Sequence, residues 1–245
     1  MKKTMIFLVI LIMIFTFSAC SSKDQPKTLI SNQFDEYIDH DIVEEKDFND
    51  FINSVSNYTI PGVVVVKTTI RNNFNIIVEE REATGFIYAI YDKSLRVVTS
   101  LDAVKSDNET YHVQVEIVDF TNRLYPGLII SKSEEYQISV IKFDTNSSVS
   151  KLRKIGFSSY VPMNNEPVLM LSNYDKSRNS LIMGTILSID STTGLIQTTL
   201  PVDNHIIGGT IINLRNEIVG MVISVNENSA MILSVEKLKT YFSTV

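Results

Sequence analysis

The stretch Thr84-Gly85-Phe86-Ile87-Tyr88, followed after a polar gap by Arg96-Val97-Val98-Thr99-Ser100-Leu101-Asp102-Ala103-Val104, decides the architecture of this chain. Its β-branched and apolar residues recur at a period of two, which fits half-buried strands and not helices. The same pattern extends in both directions. Before and within it lie Gly62–Ile70, Phe74–Glu80, Ala83–Ile90 and Arg96–Thr99; after it come Tyr111–Asp119, Leu124–Ile130 and Gln137–Phe143. Turn residues divide these runs, as in Arg71-Asn72-Asn73, Tyr91-Asp92-Lys93-Ser94 and Tyr125-Pro126-Gly127. Beyond the polar stretch Asp144–Ser150 the runs resume as Glu166–Leu171, Leu181–Ile189, Gly194–Leu200, Thr210–Asn213, Glu217–Val225 and Ala230–Leu233. Leu238, Tyr241 and Phe242 then recur at helical spacing. The expected fold is all-β: two six-stranded antiparallel β-barrels, about 61–145 and about 150–235, with a short N-terminal helix and a C-terminal helix.

The N-terminus sets the compartment. Lys2 and Lys3 precede fifteen uncharged residues, Met5 to Ala19, and Phe17-Ser18-Ala19-Cys20 closes them. That run is short for a spanning helix and suits a signal peptide over residues 1–19. Its last four residues resemble a bacterial lipobox, which implies lipid attachment at Cys20 and a membrane-anchored protein on the extracytoplasmic face. Ser21 to Thr28 is polar and reads as a tether, and the segment to residue 60 is acidic. Phe48, Phe51, Ile52 and Val55 place an amphipathic helix at about Glu44 to Ser56. His40, among acids, reads as a solvated linker residue.

Composition excludes several functions. The chain has 245 residues, 22 basic and 28 acidic side chains, three histidines, one cysteine and no tryptophan. Loss of the two lysines with the signal peptide leaves 20 against 28, a net −8. No segment supplies the basic patch that nucleic-acid binding needs. One cysteine rules out an internal disulfide and a cysteine-ligated zinc site. Scattered histidines, and no GxSxG, Walker A, HExxH or GxGxxG motif, leave no metal or cofactor expected.

The strand sequences resemble those of trypsin-like serine proteases, most closely the bacterial HtrA/Deg-type members. Thr84–Tyr88 with Arg96–Val104 is similar to the first-barrel Gly-Phe-Ile strand and Val-Thr-Asn-x-His-Val-Val turn. Gln137-Ile138-Ser139-Val140-Ile141-Lys142-Phe143 resembles Asp-Leu-Ala-Val-Leu-Lys-Ile. Ile207-Gly208-Gly209-Thr210-Ile211-Ile212-Asn213, with Asn216-Glu217-Ile218-Val219-Gly220-Met221, resembles Ser-Gly-Gly-Pro-Leu-x-Asn followed by Gly-x-x-Ile-Gly-Ile, and Gly184-Thr185-Ile186 falls where the family has Ser-Gly-Ile. The resemblance covers about Pro61 to Phe242. No PDZ-length extension follows, so the oligomerisation route usual in HtrA-type proteins is not expected.

The resemblance puts Asp102 at the catalytic histidine, Gln137 at the aspartate and Ile207 at the serine, with His205 and Ile206 replacing the Gly-Asn before it. A triad needs a nucleophile, a base and an orienting carboxylate. Isoleucine has no nucleophilic atom, a carboxylate near pKa 3.9 is a poor base for a hydroxyl, and glutamine carries no charge. The expected reading is a pseudoprotease with no catalytic residues at these positions. His205 and His112 read as loop and strand residues. In active relatives an extended substrate pairs with the strand here spanning Ile223, Ser224 and Val225, so the resemblance implies peptide or partner-protein binding by strand addition. Two alternatives stand beside it: a serine endopeptidase using unrecognised residues, and a structural envelope scaffold.

Overall fold

Alternation along Val63–Arg71 sends Val64, Val66 and Ile70 inward, and that strand opens the first barrel. The computed structural model describes residues 48–145, 151–173, 178–227 and 229–244. Residues 1–47, which hold the expected signal peptide, Cys20 and the acidic tether, lie outside them, as does the polar break at 146–150.

Barrel one contains β1 (Val63–Arg71), β2 (Ile77–Tyr91), β3 (Ser94–Ser100), β4 (His112–Val118), β5 (Leu124–Ser133) and β6 (Ile138–Asp144). Barrel two contains β7 (Pro167–Ser172), β8 (Ser180–Ile189), β9 (Leu195–Thr198), β10 (Thr210–Ile212), β11 (Ile218–Val225) and β12 (Ala230–Ser234). Both close, in the orders β1-β2-β3-β6-β5-β4 and β7-β8-β9-β12-β11-β10, so the topology of one repeats in the other. Every pairing within the barrels is antiparallel. Helix α1 (Phe48–Ser54) runs through a π turn, Val55–Thr59, into a 3-10 turn at Ile60–Gly62. Helix α2 (Val235–Thr244) follows β12 directly.

Two boundaries differ from the sequence reading. Phe74–Glu80 and Ala83–Ile90 are not two strands: Ile77–Tyr91 is one strand of 15 residues, paired with β1 from Arg71↔Ile77 to Val63↔Phe86. Its charged stretch Glu79–Glu82 has only β1 beside it, since β3 joins β2 from Gly85 onward, so these residues are largely exposed and alternation fades. Tyr125-Pro126-Gly127 is not a turn but the interior of β5. Pro126 lies opposite Glu116 of β4, while pairing with β6 begins only at Gly127, so a missing N–H falls where the strand has one neighbour.

Three apolar cores result. One fills barrel one around Val66, Ile87, Val97, Ile117 and Phe143; another fills barrel two around Met170, Ile186, Ile206 and Val222. A third lies between the barrels, where Phe86, Val98 and Ile138 meet Leu169, Ile218 and Met221. Phe51 and Val55 from the N-terminal segment and Leu238 and Tyr241 from α2 complete that core.

Candidate functional site

The barrels meet at the end of β3. Ser100 caps a single 3-10 turn, Leu101–Ala103, by accepting from the Asp102 N–H at 3.1 Å. The Leu101 N–H donates to the Gln137 carbonyl at 2.9 Å, which places Gln137 beside the turn that carries Asp102. Gln137 adopts φ 54, and its Nε2 donates to the Glu134 carbonyl at 2.6 Å, so its amide is engaged in its own loop. The carbonyl of Asp102 accepts from Arg81 Nη1 on β2. Arg81 in turn grips Glu79, and the hydrogen bond to that guanidinium holds the Glu79 carboxyl below its ordinary range.

Across the junction, Asp203 opens the 3-10 turn Asn204–Ile206. Its Oδ1 accepts from the His205 N–H at 2.6 Å and meets His205 Nδ1 at 2.6 Å. Ile206 is fully buried in the core of barrel two, whereas Ile207 is part-buried against the core of barrel one. The Ile207 carbonyl accepts from the Thr84 N–H at 2.9 Å, and Thr99 Oγ1 donates to the Thr84 carbonyl at 2.7 Å. Gly208 follows at φ +76, and a Cβ there would lie 1.8 Å from the Thr84 carbonyl oxygen. Only a residue without a side chain allows this approach of the two barrels.

The strand singled out for peptide binding divides in two. Ile223 is the bulged residue of β11, 3% exposed, and its carbonyl accepts from Ser100 Oγ. Ser224 and Val225 are half-buried and pair on one side with Met231 and Ala230 of β12. On the other side β10 accompanies β11 only as far as Met221. Val222 then bonds to Gly208 and Gly209, both at 2.9 Å.

His112 lies at the exposed start of β4, opposite Arg71, away from this junction. No group of three or more metal-ligating side chains occurs among the described residues, and no helix among them is long and apolar enough to cross a membrane. Three features here were not read from the sequence: the Asp203 carboxylate on the His205 amide, the Arg81 guanidinium on the Asp102 carbonyl, and the Ser100–Ile223 bond. Only the first leaves a local trace, an aspartate two residues ahead of a turn amide.

Two closed six-stranded barrels of one topology, joined through a Gly-Gly turn, define a double-barrel protein of the peptidase type. The model of the trypsin-like peptidase domain matches residues 83–221, more than half of the chain, and runs from β2 into β11. The chain belongs to that family. Among curated proteins the sequence finds no match.

Proposed function

We propose that this is a lipid-anchored, extracytoplasmic member of the trypsin-like family that lacks a working triad and binds an extended peptide or a partner protein. One observation carries the reading: the residue at the nucleophile position, Ile207, has no reactive atom and turns its side chain into the core of barrel one. The Asp203 carboxylate supports it further. The His205 amide, at the place of the family's oxyanion-hole glycine, is already bonded to an anion, so a developing oxyanion there would meet charge repulsion. The His205–Asp203 pair is an oriented imidazole, but among the described residues no hydroxyl hydrogen-bonds to its ring. Binding then falls to the edge at Ser224–Val225, where β11 has outrun β10.

The test uses the purified protein without its signal peptide, together with Ile207→Ser. Neither should take a fluorophosphonate label or cleave a peptide library, and extended peptides on an array should bind both. Serine labelling of the unmodified chain, abolished by mutating that serine, would establish an enzyme. An array without specific binding would leave a scaffold.

A further inference from the structure

The N-terminal helix and the connection between the barrels lie side by side. The Arg153 N–H donates to the Pro61 carbonyl at 3.3 Å, and Asn216 Nδ2 donates to Ser54 Oγ at 2.6 Å. The Ser158 N–H donates to the Ile218 carbonyl at 2.9 Å, so residues 151–158 and the β10–β11 turn together border the run from α1 to β1. Along this border stand Lys151, Arg153, Lys154, Arg215 and Lys239, all exposed. Arg153 lies over the Tyr58 ring at 5.2 Å and Arg215 over the Tyr160 ring at 5.7 Å, while Lys239 Nζ donates to the Ser158 carbonyl. Rings and a carbonyl position three of these groups and leave their charge uncompensated. Among the described residues none of the five pairs with a carboxylate.

The surplus survives a full count. Counted with all of α2, these elements carry six cations and three carboxylates, Asp50, Glu217 and Glu236. Adding the Asp190 turn next to α2 and the end of the β2–β3 hairpin, 91–96 with 142–145, gives nine cations against six carboxylates. The remainder of residues 48–245 carries eight against fourteen, so the positive charge is gathered on this side. Immediately before α1 the sequence has the opposite sign. Residues 35–47 hold seven carboxylates and one lysine, a net −6. Phe48, where that run joins the fold, lies six helical residues before Ser54, about 9 Å along α1 from the bond to Asn216.

We propose that this strip is the docking surface for the chain's own acidic segment, residues 35–47. The occupant follows from charge and from connection. A net −6 meets a surplus of three cations, and the segment is covalently joined beside the strip, at an effective concentration on the order of millimolar that any free polyanion must outcompete. Attraction between exposed charges is screened over about 8 Å at physiological ionic strength, so the docking is salt-sensitive and reversible. Docking does not rest on the peptide-binding reading. Its consequence for reach rests on the lipid anchor: the span between Cys20 and the fold shortens from at most about 100 Å to the 14 residues Ser21–Phe34, at most about 50 Å. Salt then sets how far the domain stands from the membrane.

Carbodiimide cross-linking tests this, because it joins a carboxylate to a lysine in contact. The lipidated protein in nonionic micelles and the Cys20→Ala protein are treated at low salt, digested and read by mass spectrometry. Both should give links within one chain from residues 35–47 to Lys151, Lys154 or Lys239, and about 0.5 M NaCl should cut their yield roughly fivefold or more. Arg153→Glu with Arg215→Glu removes no lysine, so the yield at Lys151 and Lys154 should fall about threefold or more through lost docking alone, with an unchanged circular dichroism spectrum. Links that reach Lys67, Lys105 and Lys132 equally, or that ignore salt, overturn the proposal. So do links that form only between isotopically distinct copies, which would make the contact intermolecular. Absent links, together with binding to phosphatidylglycerol vesicles that the arginine variant loses, would assign the strip to anionic lipid instead. Mass spectrometry of Cys20 reads the lipid independently, so failure of the anchor reading leaves the cross-links intact and only the consequence for reach is lost.

Discussion

At the scale of single residues, Gly208 is the tightest point of the molecule. Its φ of +76 disfavours any L side chain, and the first atom of one would overlap the Thr84 carbonyl. Gly208→Ala must therefore push β2 away from the turn, breaking the Thr84–Ile207 bond. The expected loss is about 3 kcal/mol or more, read as a lowered denaturant midpoint at unchanged slope. A loss under about 1 kcal/mol would show that the barrels part without cost. This contact was half legible beforehand. The Gly-Gly pair announces a close approach, but its partner, 124 positions earlier, can be identified only once both barrels are closed.

At the scale of elements, the segment leading into β7 is locked by a polar knot. Glu166 is 1% exposed; its Oε1 accepts from Tyr160 Oη at 2.6 Å and its Oε2 from the Met163 N–H at 2.8 Å. Asn213 Nδ2 donates to Tyr160 Oη at 3.1 Å, which ties the knot to the β10–β11 turn. Burial, then the bonded Glu166 carboxylate, pushes the Tyr160 phenol well above its usual value of 10.0. Its neutral form is favoured in the fold, so the stability it brings is complete below pH 10 and declines as pH rises above that. Tyr160→Phe should cost about 1–3 kcal/mol at neutral pH by leaving a buried carboxylate oxygen without its donor. It should also make the alkaline decline shallower, though not flat, because Tyr88 and Tyr125 are raised as well. Denaturant titrations at pH 8 and 11 read both effects, and parallel curves for the two proteins would refute the role. Nothing in the sequence marks this knot. Tyr160 lies in a stretch with no periodicity and Glu166 reads as the first residue of a strand, so their bonding depends on where β7 starts. Strand existence was legible because one face of each strand meets a core. It failed in β2, where Glu79–Glu82 has only β1 beside it, and in β5, where Pro126 mimics a turn.

At the scale of the whole molecule, α2 clasps the two barrels. Phe242 stacks on Tyr88 of β2 at 4.3 Å between ring centroids and lies 5.7 Å from Phe157 of the connecting segment. Tyr241, 5% exposed, bonds through its hydroxyl to Ser131 Oγ of β5 at 2.6 Å and packs against Tyr136. The helix grows from barrel two and spends its aromatic face on barrel one. Tyr241→Ala should cost about 3–5 kcal/mol and uncouple the barrels, so that calorimetry resolves two transitions where the unmodified protein gives one. Tyr241→Phe, which removes only the hydroxyl, should keep a single transition. Two transitions in the unmodified protein would mean that the interface core around Met221 and Phe86 does not couple the barrels.

The intimacy of Gly208 with Thr84 has a further bearing on descent. A glycine at this turn is held in place by the docking of two barrels, whatever chemistry goes on beside it. A lineage that stopped cutting peptides would be free to change its nucleophile and its base, yet mutation at Gly208 would still be purged as a folding defect. The Gly-Gly signature therefore records ancestry and architecture, and its survival in any sister sequence carries no information about whether that sister is an enzyme.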